Sequence, residues 1–278
     1  MDQSNPTNIA AVDFGITNTD VVVLDAMGNP KLMTVPSNPT MSVDELHRVL
    51  QLAGVALHNL AKVAVTGGKH RLLPDHVGNT AIIHVNEIAS VGAGGLHLSG
   101  LNEAVVMSAG TGTSVVAARG KEVRHISGTA VGGGTLLGLS QLLLNTTDIH
   151  EIEALASRGD SNGVDLSIAD AIGSEMSHLP KNATAVNFGR AAHSDIPPSR
   201  KDIAAGLMTL VAQTIALIAV NAARAEQLSP IVVVGHLIEV PSIRKTVEGV
   251  GALYRTAIVV PPTPGHATAL GALSIING

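Results

Sequence analysis

The chain has 278 residues and 17 Lys and Arg against 22 Asp and Glu; with no Lys/Arg-rich block, nucleic acid is not the expected partner. Apolar residues make up 45% and aromatic ones 1%, so the interior must be built from Val, Ile, Leu and Ala, as in alternating strand and helix proteins. The absence of cysteine excludes disulfides, thiolate nucleophiles, iron–sulfur clusters and thiolate zinc sites together.

The length exceeds the usual size of one core, so two linked domains are expected. The opening has no basic segment followed by an apolar stretch, as a secretory signal would, and a cytoplasmic location is expected. Residues 9–14 read as a strand, 15–20 as a turn and 21–24 as a second strand, closed by Met27-Gly28-Asn29-Pro30. Ser42 can cap a helix with Glu45 at N3 and Leu46, Val49 and Leu50 on one face. Short apolar strands follow at 62–66, ending in Gly67-Gly68, and at 81–85. Residues 103–108 and 113–118 form a second hairpin around Ala109-Gly110-Thr111-Gly112. This recurrence of strand, polar tip and strand points to two related halves, 1–98 and 99–278. Beyond it come a glycine-rich segment at 128–138 leading into a Leu-rich helix, and an apolar run at 204–220. That run is interrupted by Gln213 and Thr214 and reads as a buried helix rather than a membrane span. Strands at 231–234 and 257–260 precede a small-residue helix at 265–276, expected to pack back on the N-terminal half.

Three glycine- and hydroxyl-rich turns sit at strand ends, where backbone N–H groups can converge on phosphate oxygens. In the first, Asp13 can hold Mg²⁺ directly or through water, and the backbone of Gly15, Ile16, Thr17 and Asn18 can wrap a terminal phosphate. The second is Gly110, Thr111, Gly112 and Thr113. The third, Gly132, Gly133, Gly134 and Thr135, abuts a helix start, where a base or phosphate can approach the backbone. There is no GxxxxGK[ST], so the chain is not a P-loop enzyme. The 12 histidines show neither HxH nor HExxH spacing, which argues against a dedicated zinc site.

The stretches RHISGTAVGGGTLLGLSQLL, ALASRGDSNGVDL, ATAVNFG, VVVGHL and GHATALGAL follow one another along the chain, which in motif order and spacing resembles the type II pantothenate kinases. The resemblance implies an α/β, actin-like fold of two ribonuclease-H-like domains with ATP and Mg²⁺ in the cleft between them. It implies transfer of the γ-phosphate to a hydroxyl of pantothenate or a related compound, and a homodimer. It also places a basic glutamate at Glu87, in HVNEIASVGAGG, although Asn86 is an alternative by one residue. The adenine and ribose side falls by resemblance on Gly132 to Thr135, on Asn187, Phe188 and Gly189, and on Gly235 and His236. The substrate side falls on Arg124, His125, Ser127 and Gly128.

The family's arginine at the substrate carboxylate falls on His125, with Arg124 beside it, and its aromatic pocket residues have little to match them here; two positions of the first loop also depart from the family. Ile16 stands where its first loop has a second glycine, and Asp20 where it has a lysine, which reverses the sign of charge near a highly negative ligand. The NTD ending of that loop resembles the hydantoinase and oxoprolinase proteins instead. An ATP-dependent ring opener and a nucleotide-binding regulatory protein without turnover therefore stand beside the kinase.

Overall fold

The computed structural model describes residues 9–25, 27–173 and 180–277. Its first sheet contains β1 (Ile9–Phe14), β2 (Asn18–Leu24), β3 (Pro30–Pro36), β4 (Lys62–Gly67), β5 (His76–Val77) and β6 (Thr80–His84), in the order β3-β2-β1-β4-β6-β5. β1 to β3 form an antiparallel meander, and β4 and β6 continue the sheet parallel to β1. The second sheet begins the same way, with the antiparallel strands β7 (Glu103–Ala109), β8 (Thr113–Arg119) and β9 (Glu122–Thr129). A small pair, β10 (Leu166–Ser167) and β11 (Thr184–Val186), stands apart. β12 (Ile231–Val234) and β13 (Ile258–Val259) then add parallel to β7, giving β13-β12-β7-β8-β9. Each half thus runs third, second, first and fourth strand across its sheet, and the recurrence seen in the sequence is a recurrence of topology.

Helices cover both faces of each sheet. β1 alternates with period two. Ala10, Val12 and Phe14 meet Leu46, Val49 and Leu50 of α1 (Val43–Leu52), while Ile9 and Ala11 lie in a second cluster with Ala269, Leu270, Ala272 and Leu273. A strand buried on both sides must be apolar throughout, as IAAV is. In the second sheet, Ala104 and Val106 face Val91 and Leu96 of α2 (Glu87–Ser99). On the opposite side Val105, Met107 and Ala109 share one core with Leu136 and Leu144 of α3 (Gly133–Leu144) and Ile152 of α4 (Ile149–Ala156).

After the short α5 (Ile168–Ile172), α6 (Arg200–Glu226) supplies Leu207, Met208, Val211 and Ile215 to that core. Each such side chain contributes about 1.5–3 kcal/mol when fully buried. α6 is long and apolar enough to cross a membrane, but 61% of its apolar window is buried inside the protein. α7 (Pro241–Leu253) packs on α6, and α8 (Ala267–Asn277) packs against β1, β2 and β4. α2 and α8 cross with backbones nearly touching: a Cβ on Gly94 would strike the Ala267 carbonyl, and one on Gly271 that of Ser90. Because α2 lies on the second sheet and α8 on the first, this crossing ties the halves together.

Candidate active site

A cavity of about 750 Å³ lies between the sheets, and both hairpin tips line it. The β1–β2 pairing runs out to Phe14 and Thr19, so the first tip is Gly15-Ile16-Thr17. It is shorter than the expected turn, because β2 begins at Asn18 rather than at 21. A Cβ on Gly15 would lie 2.6 Å from the Asn18 oxygen. Ser37 holds the tip, its hydroxyl donating to Gly15 O (2.7 Å) and its N–H to Thr17 O (3.0 Å). Ile16, where a glycine was expected, projects 82% exposed.

The second tip, Gly110-Thr111-Gly112, is braced by the start of α3. Gly133 N donates to Gly110 O (2.8 Å) and Gly134 N to Thr111 O (2.9 Å), and a Cβ on Gly132 would come within 2.7 Å of Thr111 O. Thr135 closes this turn by accepting from Gly132 N and donating to Ala130 O. The glycine run therefore spends these helix-start donors on the neighbouring loop. Gly133 lines the cavity, whereas Gly132, Gly134 and Thr135 stand behind the tip. The two tips meet through the Thr17 and Thr111 hydroxyls, 2.8 Å apart.

Beneath the tips the floor is acidic. Asp13 pairs in register with Asp20 of β2, and Glu87 opens α2 into the cavity. Asn86 caps that helix, its side chain accepting from Ala89 N (3.2 Å), so of the two candidates it is Glu87 that lines the cavity. Burial, then the charges of Asp20 and Glu87, push the Asp13 carboxyl up to about 8, against the pull of His236.

Asp20 is 4% exposed and faces a cation supplied by the second half. His236 Nε2 lies 2.9 and 3.0 Å from its two oxygens, and His236 Nδ1 lies 2.9 Å from Glu239 Oε2. Burial lowers the imidazole, but the hydrogen bonds to Asp20 and Glu239 outweigh it and hold the ring at about 10. Both ring nitrogens then donate, as in the imidazolium. Thr34 donates to Asp20 Oδ1 (2.6 Å), and His266 Nε2 stands 3.9 Å from the same oxygen. Burial, first of all, lowers His266.

Two glycines make this pairing possible. Gly235 adopts φ +94° where a Cβ would strike the Ala109 carbonyl, and Gly265 leaves room for the His236 ring. β12 pairs with β7, so its end emerges beside the root of the second tip. His236, expected on the adenine side, accordingly stands at the acidic floor beneath the tips. Asp20, at the position of a lysine, is a β2 residue neutralised from across the cavity rather than a loop residue.

Other expected residues lie elsewhere. Arg124 Nη2 contacts both carboxylate oxygens of Glu226 at 2.7 Å, with Arg119 beside it, and those contacts, the Arg124 hydrogen bond above all, hold Glu226 below its usual range. Arg124 sits toward the end of β8 and β9 away from the second tip. His125 is exposed, the Ser127 hydroxyl is buried without a hydrogen-bond partner, and Gly128 packs on the Thr113 carbonyl. From this segment Thr129 lines the cavity, and Arg124, His125, Ser127 and Gly128 do not. Asn187, Phe188 and Gly189 are also outside it. Phe188, at φ +56°, donates its N–H to the buried Asp165 (2.8 Å) and packs into the α6 core; Asn187 reaches Gln213, and Gly189 nests on Leu166.

Sequence reasoning missed an apolar shelf of Leu136, Leu137, Ile149, Val240 and Pro241, together with Glu153 and Glu239. Leu136 and Leu137 follow the glycine run directly, which was a usable signal. The others come from α4 and from residues 239–241 leading into α7, which converge only in the fold.

Two sheets of repeated topology over a shared cavity, with a hairpin tip from each and the last helix returned to the first sheet, define an actin-like ATPase fold. Solved structures bear this out. The activator of the 2-hydroxyisocaproyl-CoA dehydratase from Clostridium difficile with bound ADPNP is similar over 95% of this chain and 92% of its own, with TM-score 0.65 and 20% identity. A ROK family glucokinase from Streptomyces griseus in complex with glucose and AMPPNP is similar over 98% and 100%, with TM-score 0.58 and 14% identity. The Fumble family model matches residues 103–248, just over half of the chain, and the chain belongs to that family. Among its relatives, the type II pantothenate kinase of Bacillus cereus (strain G9842) is 29% identical over 184 residues, 64% of this chain and 67% of that protein.

Proposed function

We propose that the chain is an ATP-dependent kinase that transfers the γ-phosphoryl group to a hydroxyl of pantothenate or a related small alcohol. The observation that carries this reading is the meeting of two glycine-bearing hairpin tips directly over a floor that holds Asp13 and Glu87. The tips part at Thr17 and Thr111 to take the terminal phosphates on backbone donors, and the shelf of Leu136, Leu137 and Ile149 takes the adenine. Glu87 accepts the proton of the acceptor hydroxyl as its oxygen bonds to the γ-phosphorus. The bond from that phosphorus to the bridging oxygen breaks, and ADP leaves.

Asp13 fits a divalent cation: it is a buried carboxyl among other carboxylates, pushed up to about 8, which is the state a bound cation relieves. Bound Mg²⁺ supplies charge neutralisation on the phosphates. The lobes 1–98 and 99–278 close on the nucleotide, in a cytoplasmic homodimer of the kind the family resemblance implies. ATP consumption with Mg²⁺ and a panel of hydroxylated acceptors, run beside Glu87→Gln, tests the reading. The expected result is acceptor-dependent ADP release that falls by about 10²–10⁴ in the variant while nucleotide binding persists. Turnover untouched by the substitution, or absent with every acceptor, sinks it.

A further inference from the structure

The charge inventory of the cavity narrows the acceptor. Five carboxylates line it, those of Asp13, Asp20, Glu87, Glu153 and Glu239. No lysine or arginine does, although the chain has 17 of them and all fall among the described residues. The arginine that the family has at the substrate carboxylate falls by resemblance on His125, which does not line the cavity, and Arg124 beside it is committed to Glu226. Lys69 is next in sequence to the lining Gly68, and its Nζ is turned to Pro39 O (3.2 Å). His236 donates from both nitrogens to carboxylates of the protein itself and has no donor left.

A ligand carboxylate entering this cavity would meet protein carboxylates with no lysine or arginine among them, the exposed ring of His150 being the one basic lining side chain not already bonded to a protein carboxylate; sites use such an imbalance to reject a wrong ligand. Hydroxyl and amide groups suffer no such repulsion, and the hydroxyls of Ser108, Ser114, Thr129 and Thr268 line the same cavity. We propose that the acceptor is an alcohol without a carboxylate, uncharged or cationic, related to pantothenate through its hydroxyl and amide rather than its acid group. This rests on the kinase reading for the identity of the site.

The test compares pantothenate with panthenol, in which the carboxylate is replaced by a hydroxymethyl group and the phosphorylatable hydroxyl is unchanged. Binding of each to the wild-type chain with ADP and Mg²⁺ is measured calorimetrically, and ADP release from ATP is followed separately. Panthenol is expected to bind at least about tenfold tighter. Equal or tighter binding of pantothenate, or no binding of either, overturns the proposal. Pantothenate binding that disappears in Lys69→Ala would overturn it and name the missing cation. If panthenol binds as expected but is never phosphorylated, the acceptor class stands and the kinase reading falls, so the two failures are separable.

Discussion

His236 is the cation that makes an aspartate tolerable at position 20, and His236→Gln tests this because glutamine can still donate to Asp20 but carries no charge. Raising the imidazole from its ordinary 6.5 to about 10 sets a ceiling of about 5 kcal/mol, at about 1.4 kcal/mol per pH unit. The side chain is 28% exposed, and solvent screening brings the expected contribution nearer to about 2 kcal/mol. The folded value lies above the unfolded one. The contribution is therefore complete below 6.5 and is lost as pH rises through about 10. Asp13 is coupled to His236, so both proteins are best compared in an Asp13→Asn background, which removes that carboxyl from the titration. Urea unfolding at about pH 6, 8 and 10 should show the histidine protein more stable by about 2 kcal/mol at the lowest pH, with the advantage shrinking steadily toward the highest. A difference that stays constant over the range would show that the ring is neutral, and the charge argument would fail.

Asp13→Asn alone should stabilise the protein. The raised carboxyl makes ionisation unfavourable in the fold, so the variant gains on wild type as pH rises above 3.8 and through about 8, by about 2 kcal/mol at the upper end, while phosphoryl transfer drops at least about 10²-fold. Unfolding curves and turnover together check it, and a destabilised variant would contradict it. Gly67→Ala places a Cβ 2.5 Å from Asp13 Oδ1 at φ +84°; a loss of about 1–3 kcal/mol and a raised KM for ATP are expected, measured by thermal unfolding and steady-state kinetics. Phe188→Leu should cost about 1 kcal/mol of stability through the core and leave the KM for ATP unchanged; a KM that rises with stability intact would return Phe188 to the base-binding side.

What could be read from the sequence is what short spans determine. IAAV, KVAV and IVVV are strands because apolar side chains on both faces demand cover from both sides, and a glycine at a strand end with hydroxyls around it is a turn wherever it occurs. The actin-like architecture was what the resemblance in motif order implied, and the same resemblance pointed, with an ambiguity of one residue, to Glu87, which lines the cavity. The limits were set by distance along the chain and by competition for hydrogen bonds. Asp20 and His236 are 216 residues apart, so a changed sign at position 20 showed as a departure while its compensation did not. The run Gly132 to Thr135 was legible as a close backbone approach, but not what it approaches: the N–H groups of Gly133 and Gly134 are already taken by the Gly110 and Thr111 carbonyls. Phe188 was carried to the adenine by its motif, whereas its positive φ, its N–H bond to the buried Asp165 and its place outside the cavity appear only in the fold. Motif likeness therefore transfers backbone shape more securely than it transfers charge. A position where charge changes sign calls first for a search of the opposite lobe, because a buried aspartate cannot stay ionised without a partner.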